Sequence, residues 1–296
     1  VYSNPQLPEG VNNSDARPLR SFFAMAAAIV ALGAGAALVF AFLGGTLARY
    51  LPYETEVRLI GPYAEQYPPR DDPVETYLQG VTDTLAARMQ LPEGMKIQVH
   101  YVDEEVVNAF ATLGGHVAVY RGLLERVPDE NALAMVLAHE VGHAQHRHPI
   151  ASIGRGIAFA AALSLVSAGA GSGAAESILG QSGMLTLLTY SRAQEEEADA
   201  AGLAALVAAY GHAGGATETF RAMSGAAAEK GLREPPKFLS THPVTRERIE
   251  KLERMIVQNG WQPEGERTPV PQAVRDALKA AAPKAPAAQA PHCVRC

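Results

Sequence analysis

From Phe22 to Leu43 the chain runs 22 residues, FFAMAAAIVALGAGAALVFAFL, without a charge. As a helix rising about 1.5 Å per residue, such a run spans a hydrocarbon core of roughly 30 Å. A soluble helix of this kind would have to be buried on every face. Two membrane readings compete, a cleaved signal peptide and a permanent anchor. The run exceeds a signal h-region, and some twenty residues precede it, so the anchor is the better reading. Arg17 and Arg20 lie before the run, and Arg49 and Arg58 follow it, the latter among acidic residues. Lys and Arg orient a span and acidic residues count little, and the slight bias leans toward the N-terminus in the cytoplasm and the rest outside.

The remaining chain suits one sizeable domain. The 296 residues carry a formal charge of −6 and form no basic stripe, so nucleic acid is not an expected partner. Residues 1–20 read as a tail, 21–44 as the anchor, 45–72 as a Pro/Tyr-rich linker, 73–265 as the main domain, and 266–296 as an Ala/Pro-rich tail. Asp72, Pro73 and Glu75 form a helix start ahead of the one-sided Val74, Tyr77, Leu78, Val81 and Leu85. KIQVHYV alternates as a strand does, and VVNAFAT and HVAVY flank Leu113-Gly114-Gly115 as a hairpin. NALAMVLAHEVGHAQHRH is helical, with Asp129 and Glu130 at its favourable end. GIAFAAALSLVSAGAG reads as a buried or interfacial helix rather than a second crossing. SRAQEEEADAAGLAALVAAYG is a helix stopped by Gly211. Two more helices are expected, around 216–228 and 245–257. The class is α+β and mainly helical, with a small sheet.

The chemistry concentrates in AHEVGHAQHRH, residues 138–148. His139 and His143, four apart on a helix, present both imidazoles on one face. With Glu140 between them this is H-E-x-x-H, in which two neutral imidazoles bind zinc and the glutamate acts on water at the metal. The alternative for the motif alone is a solvated His/Glu face. Metzincins continue to a glycine and a third histidine; those positions here hold His146 and Pro149. The third ligand must therefore come from another helix. SRAQEEEAD offers Glu195, Glu196 and Glu197, of which one can face the metal. Asp199 lies four residues after Glu195, on the same face, so Glu195 is the expected ligand and Asp199 the carboxylate that fixes a ligand histidine. Glu196 and Glu197 read as a solvated face.

Four ordered stretches, NAFATLGGHVAVYRGLL, HEVGHAQHRH, SRAQEEEAD and STHPVTRERI, make the chain resemble a family of zinc metallopeptidases. It is that of HtpX and the CAAX prenyl endopeptidases, with its BepA-like and Oma-like members. The resemblance covers about residues 73–257 and implies zinc, one per chain, on His139, His143 and Glu195, with Glu140 as base and Asp199 behind the ligands. It implies a gluzincin core whose small sheet offers an edge strand to extended substrate, expected at Gly115–Tyr120, with Gly115, His116, Val117, Ala118 and Val119 making the contacts. His242 is the expected transition-state donor; the alternative is a cap for the following helix. Arg248 is expected to pair with an acid such as Asp199. HtpX has several spans, whereas one is convincing here, so the single-anchor bacterial type is the better match and a prenylated substrate is not implied.

These expectations combine into an inner-membrane, single-pass zinc endopeptidase with a periplasmic domain. It would act on extended or misfolded polypeptides and touch lipid through its N-terminal helix. A chaperone-like cleft without turnover and a zinc aminopeptidase are the alternatives. His100, His116 and His212 read as isolated side chains. His146 lies a turn beyond the ligand pair, and His148 reads as structural. The Ala/Gly-rich stretch 168–183 is a candidate lid. Cys293 and Cys296 are open to a local disulfide, a metal-binding tail or a partner link.

Overall fold

The computed structural model describes residues 18–64, 71–166, 190–221, 242 and 245–281. In chain order the elements are α1 (Pro18–Ala48), α2 (Tyr53–Ala64), α3 (Pro73–Ala86), β1 (Gln98–Val102), β2 (Ala109–Ala111), β3 (His116–Tyr120), α4 (Arg121–Leu124), α5 (Glu130–Gln145), α6 (His148–Val166), α7 (Arg192–Tyr210), α8 (Arg246–Gln258) and α9 (Gln272–Ala281). The candidate lid, most of the helix expected over 216–228, and the cysteine-bearing tail lie outside the described residues.

The centre of the domain is α5. The Asp129 side chain accepts from Ala132 N and starts it, and Asn131 to Ala144 are all buried. A helix apolar on every side belongs in the middle of a fold. α3 and the sheet cover one flank and α7 another. α3 begins as expected, with Asp72 accepting from the amides of Val74 and Glu75. α7 begins on a full capping box between Ser191 and Gln194 and ends at Gly211 in the left-handed conformation.

The sheet is mixed, in the order β1-β3-β2. β2 and β3 form the expected antiparallel hairpin, with Ala109 opposite Val119 and Ala111 opposite Val117. β1 then pairs parallel to β3, Gln98 opposite His116 through Val102 opposite Tyr120. This corrects the expected edge: Gly115, His116, Val117, Ala118 and Val119 lead into and form the central strand, which has neighbours on both sides. A hairpin read from local sequence leaves either strand free to be the outer one, and the distant β1 decides.

The two outer strands differ. On β1, Val99 N donates to Gln79 Oε1 at 2.9 Å, Gln79 Nε2 donates to Ile97 O at 3.0 Å, and Tyr101 N donates to Glu75 Oε2 at 3.1 Å. Side chains of α3 thus fill that edge. On β2, Tyr120 N donates to Asn108 O and Thr112 N to His116 O. Pairing alternates along an antiparallel strand, so Ala109 and Ala111 turn their amides and carbonyls outward. Among the described residues no strand pairs with that side, which makes β2 the open edge of the sheet, although side chains already hold both Ala111 N and Ala111 O.

Two further segments depart from expectation. Residues 53–64, read within a linker, form α2, which has Glu54 and Glu56 in its first turn. Its inner face turns Tyr53, Glu56 and Ile60 to the domain, and Tyr53 OH donates to Gly114 O at 2.8 Å. Residues 272–281, read within the tail, form α9, whose Val274 and Leu278 join the main core. Their spacing of four is a helical signal too short to stand out beside the Ala/Pro-rich stretch that follows.

Two of the three isolated histidines are partners. His100 Nε2 lies 2.8 Å from His116 Nδ1 across β1 and β3, with the rings stacked. Burial, together with the charge of His100, lowers the His116 pKa from 6.5 to about 4. His212 holds a loop by contacts to Glu266 O and Gly214 N.

A histidine kept neutral by the fold stabilises it above the unfolded pKa of 6.5 and loses that contribution as the pH falls toward 4. We expect the melting temperature to fall on acidification from pH 7 to 4.5, and less so in His116→Gln. Equal acid sensitivity of the two proteins would contradict this.

Candidate metal centre

α5 and α7 approach so closely that side chains of one reach functional groups of the other. A Cβ on Gly142 would lie 3.0 Å from Ala198 O, and one on Gly202 would lie 2.9 Å from His139 N. Glycine at both places lets the backbones meet. The crossing sets Glu195 and Asp199 of α7 against His139 and His143 of α5. All four side chains are buried.

His139 Nε2 and His143 Nε2 lie 3.1 Å apart. Glu195 closes the triangle, with Oε2 3.5 Å from His139 Nε2 and Oε1 3.5 Å from His143 Nε2. An ion with tetrahedral bonds of 2.0–2.1 Å sets its ligand atoms about 3.3 Å apart, so the triangle has the size such an ion requires. The donor set also matches, because the hydrogen bonds assign both Nε2 atoms as lone pairs. Asp199 Oδ1 stands 2.9 Å from His139 Nδ1 and takes that nitrogen's proton into a hydrogen bond. His143 Nδ1 lies 2.9 Å from His148 Nδ1, and His148 Nε2 lies 2.9 Å from Glu197 Oε2. Since Glu197 accepts, His148 donates through Nε2 and accepts at Nδ1 from His143. Two buried lone pairs then face each other, an arrangement that a shared cation relieves.

The other acids surround this triangle. Burial raises the Glu195 pKa, but its interactions with the surrounding histidines outweigh it and leave the carboxyl lowered. Arg248 of α8 holds Glu195 Oε2 at 2.5 Å and both oxygens of Asp199 at 2.7 and 2.8 Å, the expected pairing. Burial raises the pKa of Glu140. Its Oε2 accepts from Ala111 N of β2 at 2.8 Å, so the metal helix and the open edge meet at this carboxylate.

His242 joins the cluster differently from expectation. Its Nδ1 lies 3.3 Å from His139 Nε2 and 3.1 Å from Glu195 Oε1, at a fourth ligand position, and its Nε2 is 3.4 Å from Glu140 Oε1. Four residues, His139, His143, Glu195 and His242, thus offer ligand atoms within one small volume. His146 is not among them; it stacks on His148.

Three contributors escaped sequence reasoning. His148 was read as structural, Glu197 as solvated, and Tyr190 was not singled out. The Tyr190 ring stacks on His143 with centroids 3.9 Å apart, and its hydroxyl lies 3.4 Å from Ala111 O. No local signal marks Glu197, because the helix crossing is what brings it to His148. Glu196 keeps its expected surface place, paired with Lys251.

Metal affinity should follow these contacts. Glu195→Ala should lose the ion. Glu197→Ala should weaken binding by roughly tenfold or more, the usual cost of removing a partner behind a ligand histidine. Glu196→Ala should bind as the wild type does. Competition with a chromophoric chelator measures all three, and identical affinities for the Glu197 and Glu196 variants would refute the assigned hydrogen-bond chain.

Comparison with known proteins bears on the same residues. A mitochondrial metalloendopeptidase OMA1 from Schizosaccharomyces pombe is 31% identical over 212 residues, 69% of this chain and 58% of that protein. A putative beta-barrel assembly-enhancing protease from Vibrio cholerae is 33% identical over 158 residues, 48% of this chain and 31% of that protein. The bovine OMA1 is 33% identical over 169 residues, covering 54% and 32%. The chain therefore spans less than two thirds of each. The profile described as peptidase family M48 matches residues 73–256, from the start of α3 into α8. That match takes in both ligand helices, the open edge and more than half of the sequence, and it establishes that the chain belongs to peptidase family M48.

Proposed function

We propose that the protein is a membrane-anchored zinc endopeptidase that hydrolyses peptide bonds in extended or misfolded polypeptides. The observation that carries this reading is the Glu140–Ala111 hydrogen bond, because it joins a proton acceptor beside the metal ligands to an edge that binds extended chain. His139, His143 and Glu195 would hold the ion, with Asp199 and His148 orienting the two imidazoles. When bound, zinc acts as a Lewis acid toward a carbonyl and makes water a better nucleophile near neutral pH. Glu140 takes the proton from the attacking water and returns it to the leaving amine. The outward groups of Ala109 hold the substrate backbone, joined by those of Ala111 once Glu140 and Tyr190 give them up, which imposes little side-chain preference and suits misfolded chains. Burial of Glu140 excludes bulk water from the proton transfer.

His242 favours a second reading. Four protein ligands characterise a structural metal site, and a catalytic site keeps one position open. With His242 at the fourth position, the cleft would bind chains without turnover. In the endopeptidase reading, the His242 ring leaves that position before it can serve the reacting carbonyl as a donor.

The integration of α1 supports an anchor that is retained. Arg147 Nη1 donates to Arg49 O at 2.9 Å and to Leu51 O, and its guanidinium pairs with Glu56 of α2 at 2.6 Å. Ala48 packs with Ile60, Leu113, Ile150 and Ile153 in a small second core. With the lean of the flanking arginines, this integration supports the reading of a single-pass protein of a bacterial inner membrane with its domain in the periplasm.

Casein cleavage by the purified detergent-solubilised chain tests the chemistry. We expect cleavage by the zinc-loaded wild type, its loss on chelation, its return with zinc, and none from Glu140→Gln. One equivalent of zinc on a wild type as inert as Glu140→Gln would sink the endopeptidase reading and leave the binding cleft. For topology, a reporter fused after Arg58 should show periplasmic activity; a cytoplasmic signal reverses the orientation.

A further inference from the structure

α6 leaves the metal centre and runs back along α1. The two helices are antiparallel. A Cβ on Gly44 would meet Ala158 and Gly154, one on Gly45 would meet Arg155 and Ala151, and one on Gly154 would meet Ala48 and Gly44. The backbones nearly touch there, because a Cβ on Gly44 would lie 2.6 Å from Gly154 O and one on Gly154 would lie 2.7 Å from Gly44 O. The covered face of α1 is made of small residues, Ala37, Gly45 and Ala48. Most of the large side chains of α1 point away from it, with Leu38 67% and Val39 58% exposed.

The pairing fixes the height of α6 relative to the uncharged run of α1. Ala158 lies beside Gly44 and Gly154 beside Ala48, and no charge occurs on α1 from Phe22 to Ala48, so α6 meets the uncharged stretch from Gly154 onward. Beyond Ala158, α6 therefore descends alongside the uncharged run. The eight steps to Val166 cover about 12 Å, and Ala37, which is roughly level with residue 165, is still buried. Flanking the α1 contact, α6 exposes Ile157 and Ala161 on one side and Phe159 on the other. Arg155, its one charged residue, turns inward and donates to Ser152 Oγ at 2.7 Å and Gln194 Oε1 at 3.2 Å.

We infer that α6 enters the bilayer beside α1, with Ile157 and Phe159 against lipid acyl chains. The inference rests on the anchor reading of α1. It goes further in making the helix that follows the H-E-x-x-H segment a second membrane contact. Its consequence is positional. His148, which orients a metal ligand, lies ten residues before Ala158, so it stands about 15 Å above the level of Gly44. The open edge is thereby held where a polypeptide emerging from the bilayer passes. The lipid surface is the partner that these apolar flanks of α6 fit, because they adjoin the exposed face of a helix already suited to lipid.

Contact quenching tests this. The full chain, with Cys293→Ser and Cys296→Ser, receives one cysteine at a time, Ile157→Cys, Phe159→Cys, Val39→Cys or Val257→Cys. Each is labelled with bimane and reconstituted into phosphatidylcholine liposomes with or without brominated acyl chains. We expect brominated lipid to cause a loss of emission at 157 and 159 comparable to that at 39, and none at 257 on α8. Loss at 39 with none at 157 and 159 overturns the inference and leaves the anchor standing. No loss at 39 overturns the anchor reading and this inference with it.

Discussion

The site depends on how closely α5 and α7 cross. Gly142 and Gly202 remove the side chains that would hold the two backbones apart, and each faces main-chain atoms of the other helix. Glu195 and Asp199 are short of reach for a wider crossing. A methyl group at either glycine would meet backbone, which cannot swing aside as a flexible side chain does. The spacing of the ligand atoms is therefore set by helix packing before any ion binds, as a preorganised site requires.

Placing that many ionisable groups in a dry interior is costly unless each is paired. The pairing here is mutual. Arg248 neutralises Glu195 and Asp199 together, Asp199 holds His139, and Glu197 holds His148, which in turn holds His143. Removing one member leaves its neighbour buried and unmatched, so α8, remote from the H-E-x-x-H segment in sequence, is still part of the centre. The same reasoning explains why the metal helix is otherwise mostly apolar, its Glu130 and Asn131 accepting from Tyr77, Tyr210 and Thr268. Its other faces meet α3, the sheet and α7, where a further polar group would find no partner.

What the sequence made legible was whatever follows from spacing within one element. His139, Glu140 and His143 declare themselves by helical period, and Glu195 with Asp199 by the same period in a second helix. The hairpin turn at Leu113–Gly115 and the Gly211 stop are equally local. What stayed hidden depends on how elements meet. The order of the sheet rests on β1, which joins β3 from fourteen or more residues away in sequence. Glu197 differs from Glu196 only in what stands opposite it across the helix crossing. His242 was recognised as important through resemblance, yet its position against Glu195 follows from tertiary packing alone. α2 was missed because Gly61 and Pro62 read as linker, while the buried contacts of Glu56 and Ile60 stabilise it.

The side chains that fill the outer edge of β1 bear on the fate of products. Glu75 and Gln79 leave the sheet room for one additional strand, beside β2. β2 is three residues long, and Ala111 N and O already face Glu140 and Tyr190, so in the endopeptidase reading a guest chain would gain only a few hydrogen bonds there. An intact guest shares those bonds across the bond to be broken. Each fragment keeps only the bonds on its own side and has regained the freedom of a new chain end. In that reading, hold on the chain would drop at the moment of scission, and a short, single-vacancy edge would clear itself without any moving part to eject what it has cut.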